Sequence, residues 1–302
     1  MLIVRTYKSL FILLVILSIS GCHLPYDPVG PASLPTGTFT LLSVSSTPVL
    51  PTDTPRPTST PTATITPTPV WVFRSGMITC PILLYHRIEE PPVPNSLAAR
   101  YYTSPADFEW QMQALKDWGY TTIPISLLVE TIMQGAPLPP RPVVISFDDG
   151  WESVFDNAYP IMQARGFIGV MFIIETAVGA QGYMDIAQLQ TMTGDGWEIG
   201  SHSMTHPHLP AVHDQINYEA GQSKVRLESK IGINVETFAY PFGEIDPFVR
   251  HKIKEYGYLA AVGLGTQYVN DLGTLYYLSR IEVQNGTDLV AFAALLPWSG
   301  QP

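Results

Sequence analysis

The sequence predicts an α/β protein built around a parallel sheet, and two observations support this prediction. From Ile78 onward, short apolar runs rich in β-formers alternate with segments of helical periodicity, as βα repeats require. Several helical segments are followed by glycine, which readily adopts the left-handed conformation that ends helices. The examples are Trp118-Gly119, Arg165-Gly166 and Tyr256-Gly257.

The individual elements follow from the same patterns. Strands are predicted at residues 82–85, 143–147, 169–174, 198–200, 237–240 and 259–262, with a later one at 278–282. Helices are predicted at residues 105–118, 154–165, 186–192, 214–231 and 247–256. Helices that connect successive strands in this way are typical of parallel sheets, because parallel neighbours need a long crossover.

The composition limits the classes of function. The chain has 302 residues, of which 46% are hydrophobic and 14% charged, and its formal net charge is -10. This composition suits one catalytic domain with a sizeable core. The negative charge argues against a surface that neutralises phosphates, so nucleic acid is not an expected partner.

The first 22 residues have the pattern of a secretion signal. Arg5 and Lys8 precede an apolar run at residues 10–19, which is too short to span a bilayer comfortably. The run leads into Ser-Gly-Cys22, which resembles the processing site of bacterial lipoproteins. That resemblance implies a lipidated Cys22 that anchors an extracytoplasmic protein to the cell membrane. The alternative is an ordinary cleaved signal with an incidental cysteine.

Residues 23–77 are predicted to form a disordered tether in front of a catalytic domain at residues 78–302. From residue 43 to residue 69 the chain is dominated by Pro, Thr and Ser, with little that could be buried. Such a composition favours extended conformations, which would hold the catalytic domain away from the membrane. The alternative is a recognition motif for a partner.

One apolar strand ends in two adjacent carboxylates, in the segment Ser146-Phe-Asp148-Asp149-Gly150. In parallel βα folds, active sites lie at the carboxyl ends of the strands. Adjacent residues at a strand end point in different directions, so one carboxylate can bind a metal ion while the other faces water or substrate. The alternative is an ordinary Asp-Gly turn.

Two histidines, His202 and His206, follow another predicted strand. Their spacing lets both imidazoles reach one ion, either from a helical turn or from a tight loop. Two imidazoles and one carboxylate, with positions left for water and substrate, are typical of a catalytic Zn²⁺ site. Single loop histidines are usually surface residues, but a pair at one strand end with Asp-Asp at another favours the metal site.

The ordered motifs Ser-Phe-Asp-Asp-Gly150 and His202-Ser-x-x-His206 resemble those of the polysaccharide deacetylases of carbohydrate esterase family 4, which share the NodB homology domain. The resemblance extends from about residue 78 to residue 283. Segments 81–88 and 238–243 are similar to the branch that deacetylates poly-N-acetylglucosamine. The resemblance implies a distorted (β/α) barrel, typically with seven strands, and a divalent metal ion, usually Zn²⁺ or Co²⁺.

Carried over position by position, the resemblance makes Asp149, His202 and His206 the metal ligands. It makes Asp148 the general base, which deprotonates a water whose pKa the metal has lowered toward roughly 7. The backbone N–H of Phe242 would stabilise the oxyanion. The leaving amine also needs a proton donor.

The proton donor departs from the family pattern, because the late Leu-x-His motif that supplies it elsewhere is absent from the sequence. The remaining histidines are His86, His208, His213 and His251. We choose His86, since it ends an apolar strand in a Tyr-His pair that the poly-N-acetylglucosamine branch also carries near its site. The alternative is a structural role for His86, and His208 could lie behind the metal loop.

A second departure is Ala239, which stands where most of the family has an arginine that orients the catalytic base. Arg280 is the candidate substitute for holding Asp148, and we group it with Phe242 and Tyr240 on the substrate and oxyanion side of the site. The alternative for Arg280 is a surface ion pair with Glu282.

Four aromatic residues are candidate platforms for sugar rings: Tyr240, Phe242, Trp151 and Tyr183. Most aromatic residues of a barrel belong to its core, so core packing is the alternative for each of them.

Together these features predict a metal-dependent deacetylase of an N-acetylglucosamine-containing polysaccharide, either an exopolysaccharide or peptidoglycan. A rival that uses the same metal apparatus is an O-acetyl esterase acting on xylan. A rival from another class is a carbohydrate-binding lipoprotein that lost catalysis together with the two missing family residues. The retained Asp-Asp and His-x-x-x-His set argues against that loss. The sequence does not indicate an oligomeric state.

Overall fold

The computed structural model of the protein describes residues 76–300. The predicted signal peptide, the lipidation site Cys22 and the predicted tether up to residue 75 lie outside these residues. Within residues 76–300, no helix combines the length and the apolar character needed to cross a membrane.

Seven parallel strands form a closed barrel. They are β1 (Ile82–Tyr85), β2 (Pro142–Phe147), β3 (Val170–Ile173), β4 (Glu198–Ser201), β5 (Thr237–Ala239), β6 (Ala260–Leu264) and β7 (Leu278–Glu282). Each strand pairs with the next one along the chain, and β7 returns to β1 through Ile281 opposite Leu83. The predicted seven-stranded (β/α) barrel is therefore confirmed.

In the part of the chain that the structure describes, seven α-helices accompany the barrel. They are α1 (Pro105–Asp117), α2 (Ile125–Gln134), α3 (Tyr159–Gln163), α4 (Ile186–Gly194), α5 (Ser223–Ile231), α6 (Pro247–Glu255) and α7 (Leu289–Ala294). Several begin at a side chain that accepts a hydrogen bond from the first turn, as Ser104 does for α1 and Asp246 for α6. The sequence patterns did not predict α2 or α7.

Two of the predicted helices are interrupted by π-helical turns. The helix predicted at 154–165 begins with a π turn over Val154–Ala158, and only then continues as α3. The helix predicted at 214–231 contains a π turn over Asn217–Gln222 before α5. Such turns widen the helix by one residue and often occur at functional sites.

Three short strand pairs accompany the barrel within residues 76–300. Thr121–Thr122 pairs with the start of β2, and Ile78–Thr79 pairs with Val269–Asn270. Arg87–Ile88 pairs with Tyr102–Thr103, which ties down the segment between β1 and α1.

The barrel strands are buried on both faces. Val144, Phe172 and Val262 belong to an apolar cluster that also contains α2, whereas Ile145 and Met171 pack with the outer helices. Because side chains alternate along a strand, even-numbered residues of β2 share the face of Val144. Continuing this alternation past the end of β2 places Asp148 above the barrel interior. The candidate catalytic carboxylate therefore lies at the carboxyl end of the barrel.

Candidate functional site

A cavity of about 500 Å³ opens at the carboxyl end of the barrel. Among the residues that line it are His86, Asp148, Asp149, His202, His206 and Arg280. Five of these residues follow the ends of β1, β2 and β4, and Arg280 lies within β7. The barrel thus brings together groups that are up to 194 positions apart in the chain, from His86 to Arg280.

Asp149, His202 and His206 converge on one point. One ligand atom from each of them lies within 4.8 Å of the other two. The two Nε2 atoms of the histidines are 3.1 Å apart, and Oδ1 of Asp149 is 3.6 Å from Nε2 of His202 and 3.8 Å from Nε2 of His206. Ligands about 2.0–2.1 Å from a tetrahedral ion are roughly 3.3 Å apart, so the three residues fit a divalent metal ion.

Neighbouring groups orient two of these ligands. Nδ1 of His202 lies 2.9 Å from the carbonyl oxygen of Ala239; donation to this oxygen leaves Nε2 free as a ligand. The indole N–H of Trp151 donates to Oδ2 of Asp149 at 2.9 Å, so that Oδ1 faces the histidines. Sequence reasoning missed this role of Trp151, although its position two residues after Asp149 was a signal.

Burial, followed by the proximity of His202, lowers the pKa of His206. A lowered pKa favours the neutral imidazole, which is the form that binds a metal ion. The electrostatics of the site therefore agree with its geometry.

Left-handed backbone conformations cluster around the site. Among residues 76–300, six non-glycine residues have positive φ, and four of them are Asp149 (φ 76°), Ser203 (φ 67°), His206 (φ 63°) and Phe242 (φ 59°). Such conformations cost of order 1–3 kcal/mol each and persist only where the surroundings impose them. Their concentration around the three candidate ligands is typical of a functional site.

Asp148 is held by Arg280 in a buried, bidentate ion pair. Nη1 and Nη2 of Arg280 donate to Oδ1 and Oδ2 of Asp148 at 2.6 and 2.8 Å. Burial alone would raise the pKa of Asp148, but the charge and the hydrogen bonds of Arg280 outweigh it and hold this pKa well below its usual range. Asp148 is therefore ionised, and its Oδ2 lies 3.6 Å from Nε2 of His202.

The structure decides between the alternatives for Arg280. Glu282 pairs with Arg100 instead, so the surface ion pair that the sequence allowed is not formed. Arg280 is 1% exposed, and its Nε donates to the carbonyl oxygen of Gly263 at 3.2 Å. With its guanidinium held in this way, Arg280 positions the Asp148 carboxylate, which is the role that the sequence suggested for it.

We expect Arg280→Met to lower the free energy of unfolding by about 3–5 kcal/mol, because it leaves the buried Asp148 carboxylate without its partner. Urea denaturation of the metal-free protein measures this loss. Arg100→Met is the matched control: Arg100 is half-exposed in its pair with Glu282, and its loss should cost about 0–1 kcal/mol. Equal costs for the two variants would contradict the positioning role of Arg280.

His86 stands at the end of β1, half-buried in the cavity wall. Its ring contacts Tyr101, with ring centroids 4.8 Å apart. Burial lowers the pKa of His86, and the nearby carboxylates of Asp148 and Asp149 partly oppose this effect. The ring therefore lies in the same cavity as the proposed base, where its protonation responds to both carboxylates.

The other candidate histidines are not among the residues that line the cavity. Each lies near a carboxylate: His208 is 2.8 Å from Glu244, His213 is 2.6 Å from Asp246, and His251 is 3.6 Å from Glu255. All three pairs are substantially exposed, so these histidines are surface residues.

Phe242 and Tyr240 have different environments. Phe242 is 48% exposed, and its ring lies between those of His206 and His208, with centroid distances of 4.6 and 4.1 Å. The side chain of Tyr240 is fully buried, and its hydroxyl donates to the carbonyl oxygen of Tyr276. A buried ring cannot stack on a sugar, so the expectation of a Tyr240 platform is corrected.

Trp151 and Tyr183 stack on each other, with ring centroids 4.1 Å apart. The guanidinium of Arg87 lies over the ring of Trp151 at 3.2 Å. The segment between β1 and α1 also contributes Arg100, Tyr101 and Tyr102 to the cavity wall. No motif in the sequence had singled out the residues that this segment contributes to the cavity wall.

Comparisons with known proteins agree with the geometry. Residues 135–261 match the family model described as polysaccharide deacetylase. The chain is 26% identical over 230 residues to YxkH, a candidate polysaccharide deacetylase of Bacillus subtilis, covering 76% of this chain and 80% of the relative. It is 25% identical over 243 residues to the poly-β-1,6-N-acetyl-D-glucosamine N-deacetylase of Staphylococcus aureus, covering 72% and 82%.

A solved structure is similar as well. The crystal structure of a polysaccharide deacetylase from Bacillus cereus superposes with a TM-score of 0.65 at 26% identity, covering 72% of this chain and 69% of that chain.

Proposed function

We propose that the chain, a member of the polysaccharide deacetylase family (carbohydrate esterase family 4), hydrolyses carbon–nitrogen amide bonds as that family does. It removes acetyl groups from N-acetylglucosamine units of a polysaccharide. We propose that it does so with a divalent metal ion bound by Asp149, His202 and His206. Zn²⁺ is the ion we expect and Co²⁺ the second choice, because two imidazoles and one carboxylate suit both.

The observation that supports this function best is the arrangement of four side chains. Three of them offer ligand atoms within 4.8 Å of one another. The fourth, Asp148, is an ionised carboxylate 3.6 Å from one of the ligands, and Arg280 keeps it ionised. A bound metal ion with a base beside it can hydrolyse an amide, because this reaction needs an activated water and stabilisation of a developing negative charge.

Each residue has a defined role in this proposal. When bound, the cation would act as a Lewis acid that polarises the acetamide carbonyl and lowers the pKa of the attacking water. Asp148 accepts the proton of that water, and the backbone N–H of Phe242 stabilises the oxyanion. Water adds to the carbonyl carbon, the C–N bond breaks, and acetate and a free amine leave.

His86 is the proposed donor of the proton that the leaving amine requires. Because burial lowers its pKa, the ring must gain a proton before it can donate one. The carboxylates of Asp148 and Asp149 favour the protonated ring, which supports this role.

We expect His86→Ala to lower kcat by about 10²–10⁴-fold, the usual contribution of a general acid, while metal content stays unchanged. Steady-state acetate release and elemental analysis measure the two quantities. His251→Ala is the control, because His251 is a largely exposed histidine on α6. A kcat for His86→Ala equal to that of the control would transfer the acid role to another group or to water.

The substrate class rests on two supports. A relative of the chain is named for deacetylation of poly-β-1,6-N-acetyl-D-glucosamine. In addition, the ring of Phe242 is exposed at the cavity edge, where it offers apolar surface to a sugar. We therefore propose a β-linked N-acetylglucosamine polymer, either an exopolysaccharide or peptidoglycan.

Acetate release from a panel of polymers tests this proposal. The panel contains poly-N-acetylglucosamine, peptidoglycan, chitin oligomers and acetylated xylan, each with and without a chelator. We expect release from a glucosamine polymer that the chelator abolishes. Release from xylan alone would indicate an O-acetyl esterase, and no release from any polymer would favour a carbohydrate-binding protein.

We also propose that the protein is extracytoplasmic and anchored to the cell membrane through lipid on Cys22. The support is the sequence Ile19-Ser20-Gly21-Cys22 after an apolar run. Mass spectrometry of the mature N-terminal peptide tests it, since an unmodified cysteine would exclude the anchor.

A further inference from the structure

The turn that carries both metal-ligating histidines is a sharp one. It follows β4, and two of its residues, Ser203 and His206, have left-handed backbone conformations. Within the turn, the N–H of His206 donates to Oγ of Ser203 at 2.8 Å. Strained residues of this kind keep their conformation only when neighbouring groups hold them.

Glu219 stabilises this turn through three hydrogen bonds. Its Oε2 accepts hydrogen bonds from the backbone N–H groups of Met204 and Thr205, at 3.1 and 2.9 Å. Its Oε1 accepts the hydroxyl hydrogen bond of Thr205 at 2.7 Å. Glu219 lies in the π turn before α5 and is 1% exposed. Both carboxylate oxygens are therefore bonded to the two residues that precede His206.

Glu175, a second buried glutamate beside the turn, differs from Glu219 in the partners of its carboxylate. Glu175 is also 1% exposed and lies beside the same turn, where its backbone N–H donates to the carbonyl oxygen of Ser203. The carboxylate of Glu175, however, pairs with Lys230 at 2.6 Å and Arg226 at 3.5 Å, both on α5. The carboxylate of Glu219 forms no ion pair with any side chain of residues 76–300.

Removing a carboxylate from water is unfavourable, and the donors of the turn offset this cost for Glu219. Hydrogen bonds to a charged acceptor are roughly twice as strong as those between neutral groups. The turn and Glu219 thus stabilise each other, which restrains the backbone of Met204 and Thr205.

We propose that Glu219 is a positioning residue, which acts through the turn to keep the ring of His206 facing that of His202 at the observed 3.1 Å between Nε2 atoms. The inference rests on the proposed metal-dependent function. Glu219 itself touches neither the ligand atoms nor the cavity. Removing a group that orients a metal ligand typically lowers the metal affinity by about 10–100-fold.

The test compares Glu219→Gln with Glu175→Gln. Both remove the charge from a buried glutamate beside the turn, but only Glu219 uses its side chain to hold the turn. We expect Glu219→Gln to weaken Zn²⁺ binding by about 10–100-fold in a chelator competition. Glu175→Gln should lower the unfolding temperature and leave Zn²⁺ affinity unchanged. Zn²⁺ affinity of Glu219→Gln equal to that of the unaltered protein would overturn the proposal.

Two further measurements cover other outcomes. If Glu219→Gln does not fold, Thr205→Val replaces it; Thr205 is exposed, and the variant removes only the hydroxyl bond, so a smaller loss of affinity is expected. Hydrogen exchange of the Met204 and Thr205 amides, measured in chelator, does not depend on metal. Exchange should be faster in Glu219→Gln than in Glu175→Gln, and equal rates would refute the positioning role. A protein that binds no Zn²⁺ would refute the proposed metal site alone.

Discussion

We expect Asp148→Asn to lower kcat by about 10²–10⁴-fold while the protein still binds its metal ion. Asparagine has nearly the same shape as aspartate but cannot accept a proton, so the variant removes the base without removing a proposed metal ligand. The proposed ligand of the pair is the neighbouring Asp149, whose Oδ1 faces both histidines. Loss of turnover with retained metal therefore separates the roles of the two adjacent carboxylates.

Acetate release gives kcat, and elemental analysis gives the metal content per chain. Asp214→Asn is the matched control, because Asp214 is an exposed aspartate outside the cavity. Since the Asp148→Asn change leaves the charge of Arg280 uncompensated, thermal unfolding must show that the variant is folded at the assay temperature. A folded variant with a kcat within a few-fold of the control would exclude Asp148 as the base.

The second large effect is expected from His202→Ala, which should lose its metal ion and its activity together. His202 is central to the triad: its Nε2 lies 3.1 Å from Nε2 of His206 and 3.6 Å from Oδ1 of Asp149. It is also buried and oriented by its contact with Ala239. Removing it leaves two ligands, which is below the three protein ligands of catalytic zinc sites.

Chelation followed by add-back of Zn²⁺ or Co²⁺ measures this effect. The unaltered protein should regain activity, whereas His202→Ala should not. His208→Ala is the matched control, because His208 lies in the same segment but contacts Glu244 and Phe242. It should retain the metal ion. An unchanged metal content in His202→Ala would refute the ligand assignment.

Much of the fold was predictable because its signals are local. The strand at 143–147 and the one at 278–282 coincide with β2 and β7 to within one residue. The alternation of strands and helices predicted a parallel sheet before any contact was known. The boundaries were less certain where the helix type changes, as in the π turn over Asn217–Gln222, because a single π turn shifts the hydrophobic pattern of the surrounding α-helix by only one residue.

The helix α2 was missed for a related reason. Its sequence, Ile125–Gln134, carries apolar residues at helical spacing, but the residue before it is proline rather than a side-chain cap. Without a start signal, a segment of 10 residues is shorter than the window over which periodicity alone indicates a helix. Packing against the interior cluster of the barrel decides in favour of the helix.

The chemical groups of the site were also predictable. Asp148, Asp149, His202 and His206 follow strands, and the carboxyl ends of parallel strands meet at one edge. The partners of these groups were less predictable, because Arg280 was only a candidate partner of Asp148 and no pattern indicated Glu219. The contacts of Asp148 with Arg280 and of Met204 with Glu219 join residues 132 and 15 positions apart, and no periodicity links them.

The sequence by itself thus determined the alternation of strands and helices, the candidate donor atoms of the proposed metal site and the edge of the sheet where they lie. Only the tertiary structure decided that Arg280 faces Asp148, that Tyr240 is buried and that Glu219 reaches the histidine turn. The physical reason is that strands of a closed parallel barrel are buried on both faces, as all six residues of β2 are. Such strands lack the alternation of polar and apolar residues that would show which side chains point inward.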